Sequence, residues 1–302
     1  MKKLTMGLIL LNKKPGITSF DALGEIKRSL GTGKVGHTGT LDKFASGLLL
    51  VLTGTDLKLT QWFSHCDKQY IGKIHFGVET DTLDPEGSVI AEVPPPSRAD
   101  VELALSQFTG EVMQSPPAYS AIHVNGKRAS ELARSGQAPE MKKRPVTIHK
   151  IELRNWDPPF AEIFVHCSSG TYIRSLARDI ALAADSRAHL CSLARTQIAD
   201  FRLEDATNEV QGNSSYSPLP ITKSVINALR LPWFEITPPE AEKIIHGKPL
   251  ASIIEGKPLV SPSEPPEQDF SAAVFEGETL IAVINNSEGK WSYGCVFAAV
   301  NS

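Results

Sequence analysis

The chain has 302 residues, 41% hydrophobic and 22% charged, enough to bury a substantial core and to divide into more than one domain. No apolar run approaches the roughly 18 residues of a membrane span, and four widely spaced cysteines without a CxxC pair exclude a disulfide framework or the usual structural zinc spacing. The net charge of −3 hides an uneven distribution: residues 1–60 carry nine Lys/Arg against four Asp/Glu, residues 114–150 seven against two, and residues 231–302 four against ten.

Along the chain, MKKLTMGLILLNKKPG has the look of a secretory leader but lacks a small-residue cleavage site, so Leu8–Leu11 reads as a first buried strand and the protein as cytoplasmic. Thr18, with Asp21 three residues on, predicts a helix cap; Phe20, Leu23, Ile26 and Leu30 then recur at helical spacing until Gly31. Leu48 to Leu52 predicts a second buried strand. Period-two alternation puts Tyr70, Ile74, Phe76 and Val78 on one face, with Lys73 and His75 on the other. Val101, Ala104, Leu105 and Phe108 predict an amphipathic helix stopped by Gly110. Ile163, Val165 and Cys167 mark another alternating strand, and Ile173, Leu176, Ala177 and Ile180 a helix after Ser168-Ser169-Gly170. Without a regular βαβ repeat, the expectation is an α/β (α+β) fold with a mixed, largely antiparallel sheet and flanking helices. Residues 207–230, opening on the polar TNEVQGNSSYSPLP, read as linker and extension, and 231–302 as a small β-rich domain.

Several tempting motifs fail on context. Gly31, Gly33 and Gly36 satisfy GxGxxG but leave a helix for a loop, the reverse of a dinucleotide fingerprint. The pairs His65-Cys66 and His166-Cys167 do not read as metal sites, because adjacent strand residues point to opposite faces. No Walker lysine motif, GxSxG or HExxH is present.

Six polar clusters remain: GHTGTLD at 36–42, KQY at 68–70, TDTLDPEG at 80–87, QSPPAYSAIHVNGKRA at 114–129, SGTYIRSLARD at 169–179 and HLCSLART at 189–196. Together and in this order they closely resemble the bacterial tRNA pseudouridine synthase B (TruB) family, over about residues 8–205. The resemblance implies isomerisation of the uridine at position 55 of the tRNA T-loop, without metal, nucleotide or other cofactor, by a monomer. It also implies the pseudouridine synthase fold in residues 1–206, a basic RNA-clamping loop at about 118–146, and a PUA-like C-terminal domain.

By resemblance, Asp42 is the catalytic aspartate, Arg174 its guanidinium partner and Tyr70 the tyrosine that stacks on the extruded base. His37 fills the space left by the flipped base, Tyr172 and Leu193 line the pocket, and Lys14, Lys127 and Arg128 contact RNA. The chemistry suits these residue types: a carboxylate beside the ribose, kept ionised by a guanidinium, serves whether it attacks C1′ or removes the C2′ proton. C1′ and C5 are inaccessible in a stacked base, so the uridine must be flipped out, at a cost on the order of a few kcal/mol.

The chain departs from the family pattern at five positions. Lys43 replaces a proline after the aspartate, so Asp42 is expected to be less rigidly presented. Ser46, His123, Ser130 and Ala194 stand where threonine, lysine, tyrosine and arginine are common. The alternative reading is a tRNA-binding or folding protein without catalysis, against which the retained Asp42, Tyr70 and Arg174 argue.

Overall fold

The computed structural model describes residues 6–124, 126–137, 139–206, 216–262 and 269–297. The chain opens with strand β1 (Gly7–Lys13), helix α1 (Leu23–Leu30), and strands β2 (Val35–His37) and β3 (Ser46–Thr53). Helix α2 (Thr60–Ser64) and strand β4 (Lys68–Phe76) follow, then strands β5 (Val78–Thr80) and β6 (Val89–Glu92) and helix α3 (Arg98–Leu105). Strand β7 (Gly110–Gln114) leads to the short pair β8 (His123–Val124) and β9 (Lys127–Arg128) and to helix α4 (Ala129–Arg134). Strands β10 (Arg144–Asp157) and β11 (Phe160–Cys167), helix α5 (Ile173–Ala183), and strands β12 (Ala188–Ile198) and β13 (Phe201–Arg202) complete this part. The remainder comprises α6 (Lys223–Ala228), β14 (Trp233–Glu235), α7 (Pro238–Ile245), α8 (Ala251–Ile254), β15 (Phe270–Glu276), β16 (Thr279–Ser287) and β17 (Lys290–Val296).

The main sheet runs β1-β3-β12-β4-β11-β10-β7, with β2 beside β3 and β13 beside β12. Its pairings are antiparallel except β3 with β12, where Ser46 faces Ala194 and Gly47 faces Arg195. The run of leucines in β3 suits a strand covered on both sides. Leu49 and Val51 pack under α1, whereas Leu48, Leu50 and Leu52 pack with Phe63 and with Ala273, Phe275 and Val283 of the second sheet. That sheet, β14-β15-β16-β17, therefore shares a core with the first, and its other face lies under α7 and α8. In the centre, Tyr70, Ile74 and Phe76 of β4 join Ile163, Val165 and Cys167 of β11 beneath α3 and α5.

Three local expectations differ. The turn does form at Thr18, whose hydroxyl accepts from the Asp21 N–H at 3.1 Å, but the helix starts at Leu23, leaving Phe20 68% exposed under the Lys27 ammonium rather than on the buried stripe. Gly77, at φ 90°, breaks the period after Phe76, so Val78 belongs to β5. Gly110 does not stop α3, which ends at Leu105; it begins β7. Of the expected linker and extension at 207–230, residues 223–228 form α6 and Leu219 bridges to Leu8, while residues 207–215 lie outside the described residues. Tyr216, immediately after them, is buried against α1.

Candidate active site

The segment between β2 and β3 carries Asp42, and its backbone is held from both sides. Ser19 Oγ donates to the Leu41 carbonyl at 3.0 Å and accepts from the Leu41 N–H at 2.8 Å. The Gly16 N–H donates to the Lys43 carbonyl at 2.7 Å. Beneath the loop lies Arg195, 1% exposed, whose Nε donates to the Leu48 carbonyl at 2.8 Å and whose Nη2 donates to the Gly39 carbonyl at 3.1 Å. Gly47, at φ 105°, is needed there because a Cβ would collide with the Arg195 backbone. On the other side Lys13, also 1% exposed, donates from Nζ to the carbonyls of Lys14 and Ile17 at 2.9 and 2.8 Å, with that of Lys43 at 3.5 Å. These bonds hold the backbone on both sides of Asp42, at the place where the family's proline is absent. The Lys43 side chain turns outward to Glu86, at 3.1 Å.

Arg174 enters from the first turn of α5, 4% exposed, and is the hub of the site. Its Nη2 donates to Asp42 Oδ1 at 3.0 Å, and Nε makes an ion-pair contact, not a hydrogen bond, with Asp42 Oδ2 at 2.9 Å. Nη1 donates to Asp84 Oδ2 at 3.1 Å and to the Thr82 carbonyl at 2.8 Å, while Nη2 also reaches the Tyr119 carbonyl at 3.0 Å. One hydrogen bond and one close ion-pair contact on the two carboxylate oxygens thus hold the Asp42 charge against the guanidinium. Asp84 is locked in turn by the Thr82 hydroxyl at 2.6 Å and the Glu86 N–H at 3.0 Å. Burial pushes the Asp42 carboxyl above its ordinary pKa; the Arg174 guanidinium opposes this, and the Asp84 charge adds to it.

Tyr70 lies across β4 from Val165 on one side and Arg195 on the other. Burial raises its phenol pKa, with the Arg195 charge opposing. Tyr172 stands just before α5, its N–H donating to Gln114 Oε1 at 2.8 Å and its carbonyl accepting from Gln114 Nε2 at 3.1 Å. His37 is half-buried with an Nδ1 that meets no hydrogen-bond partner among the described residues, and burial together with Arg195 pushes its pKa down. Leu193 is buried in β12 beside Gly72.

The structure thus joins Asp42 to Arg174 and puts Tyr70 in one core cluster with their chain neighbours Leu41 and Ile173, with His37, Tyr172 and Leu193 on the elements around it. Lys127 and Arg128 are exposed on β9, and Lys14 is exposed just after β1. Sequence reasoning missed Asp84, Lys13, Arg195, Ser19 and Gln114. Asp84 stood only within the cluster TDTLDPEG, with no role of its own, and Lys14 was preferred to Lys13 although only Lys13 lies inside the strand.

A family model described as the TruB family pseudouridylate synthase N-terminal domain matches residues 27–173. The chain is 45% identical over 204 residues to tRNA pseudouridine synthase B of Borreliella burgdorferi, covering 67% of this chain and 72% of that one. It is 33% identical over 292 residues to tRNA pseudouridine synthase B of Francisella tularensis subsp. novicida, covering 94% and 92%. Among solved structures, a chain of a Cbf5-Nop10-Gar1 complex superposes with a TM-score of 0.70 at 23% identity, over 97% of this chain and 84% of that one. At that identity the likeness shows a shared fold, and the family model and the relatives define its class as pseudouridine synthase. The relatives narrow it further: this chain belongs to the TruB family.

Proposed function

We propose that this chain isomerises uridine to pseudouridine in tRNA, acting at position 55 of the T-loop with the T-stem-loop as its binding determinant. The reaction breaks the N1–C1′ bond, turns the uracil and forms C5–C1′, losing the C5 proton and placing one on N1; no atom is gained or lost overall. The observation that carries the reading is the Asp42–Arg174 fork, closed by Asp84. Asp42 supplies the ionised carboxylate, Arg174 holds it in plane, and Tyr70 stacks on the flipped base. Tyr172 and Leu193 line the pocket and His37 occupies the vacated place in the RNA. Residues 1–206 form the catalytic unit, with Lys14, Lys127 and Arg128 contacting phosphates, and 231–302 form the PUA-like domain; the chain acts as a cytoplasmic monomer.

The test is tritium release from C5-labelled uridine in a T-stem-loop transcript. Wild type releases tritium, whereas Asp42→Asn, which keeps the size and removes the charge, binds RNA and releases none. Binding by both proteins with release by neither would favour the RNA-folding reading instead.

A further inference from the structure

On the sheet face opposite α5, three metal-ligating side chains from three segments converge. Asp67 precedes β4, His149 lies in β10 and His166 in β11, and one ligand atom of each lies within 4.8 Å of the other two. His149 Nε2 is 3.2 Å from Asp67 Oδ2, and the imidazole rings of His149 and His166 are 4.7 Å between centroids at an angle of 45°. His166 alternates with Val165 and Cys167, which are sealed beneath α5, so its ring projects from the other face. The ladder of β10 slips between Ile148 and Lys150, which leaves His149 as the extra residue beside His166. Bulges of this kind re-aim side chains and recur next to functional sites. The third arm is anchored as well, since the Asp67 carbonyl accepts from the Ala199 N–H at 2.9 Å.

A plain ion pair between His149 and Asp67 accounts for two members and leaves the second imidazole unexplained. A shared metal uses all three, because two neutral imidazoles and one carboxylate are the donors that zinc and its first-row neighbours take. Calcium and magnesium favour all-oxygen sites. With Zn–N bonds near 2.0–2.1 Å, tetrahedral ligand atoms stand roughly 3.3 Å apart; the His149–Asp67 pair already has that spacing, and side-chain rotation brings in His166. The Arg230 charge reaches His166, and Arg230 is itself paired with Asp200 at 3.8 Å.

We infer that Asp67, His149 and His166 form a binding site for a divalent transition cation of the zinc class, pinning the start of β4 to β10 and β11 on the sheet face opposite α5. The test uses the full chain stripped with a chelator, titrated with Zn²⁺ in competition with a chromophoric chelator and with Co²⁺ followed by visible absorption. One equivalent binds to wild type and to Cys66→Ser. His149→Ala and His166→Ala weaken it by at least the roughly 10–100-fold that follows loss of even an outer-shell partner, with circular dichroism unchanged. Asp67→Asn, nearly isosteric, gives the same loss should either histidine variant misfold. No stoichiometric uptake by wild type, uptake that survives removal of both histidines, or loss on Cys66→Ser would each overturn the assignment.

Discussion

Asp84→Asn separates the height of the reaction's pH profile from its position. Asp42 and Asp84 grip different edges of the Arg174 guanidinium, at 2.9–3.1 Å, which sets their charges roughly 7 Å apart. Coulomb's law with an effective dielectric constant near 20 gives about 2 kcal/mol of repulsion at that separation. The Asp42 side chain is 35% exposed, so solvent screening reduces this repulsion. The sign follows from the causes: Asp84 raises the Asp42 pKa, so removing its charge lowers it. A reaction that needs ionised Asp42 fails as pH falls through that pKa, and its acid limb therefore moves to lower pH in the variant. The rate on the plateau falls as well, because an amide nitrogen facing Arg174 Nη1 replaces an acceptor and the fork loses an anchor. Single-turnover tritium release, measured at subsaturating enzyme from about pH 5 to 8, reads both. An acid limb that stays in place or moves upward would refute either the coupling or the assignment of Asp42 to that limb.

Two further expectations concern the hub and a site remote from it. Arg174→Lys keeps the charge but loses the fork; giving up one or two charge-assisted bonds of about 1.5–3 kcal/mol each predicts a fall in single-turnover rate on the order of 100-fold, with T-stem-loop retention on a filter unchanged. Burial raises the Asp56 carboxyl from 3.8 to about 6, so the folded protein keeps this proton where the unfolded chain has lost it. Stability from this residue is intact below pH ~4, falls as pH rises to ~6, and stays lower above by up to about 3 kcal/mol. Asp56→Asn thus raises the urea midpoint at pH 7.5 and leaves it unchanged near pH 4, as equilibrium unfolding at the two pH values measures.

The elements that sequence made legible are those whose burial follows a simple period. Leu48 to Leu52 is apolar throughout because both faces are covered, and Ile163, Val165 and Cys167 alternate because one face is. Phe20 broke the helical reading because the hydrogen bonds of Thr18 and Asp21 close a turn ahead of the helix rather than its first residues. At the site, Asp42, Tyr70 and Arg174 were legible as members of recognisable clusters. Asp84, Lys13 and Arg195 were not, because their importance lies in what they meet across the fold. A buried lysine reaching three carbonyls and an arginine beneath a loop have the same sequence appearance as solvated surface charges.

The parallel seam between β3 and β12 has a consequence for the order of events during synthesis. Arg195 supports the Asp42 loop from a strand that the ribosome makes about 150 residues later, as the Gly47–Arg195 pairing records. A nascent chain that has emerged only through α5 holds both partners of the fork but neither the strand between β3 and β4 nor the guanidinium beneath the loop. Such long-range closure is slow and comes late in folding. Translation pauses or truncations before residue 198 would therefore yield chains carrying every residue of the fork yet unable to present Asp42, and catalytic competence would appear abruptly with β12 rather than accumulate with chain length.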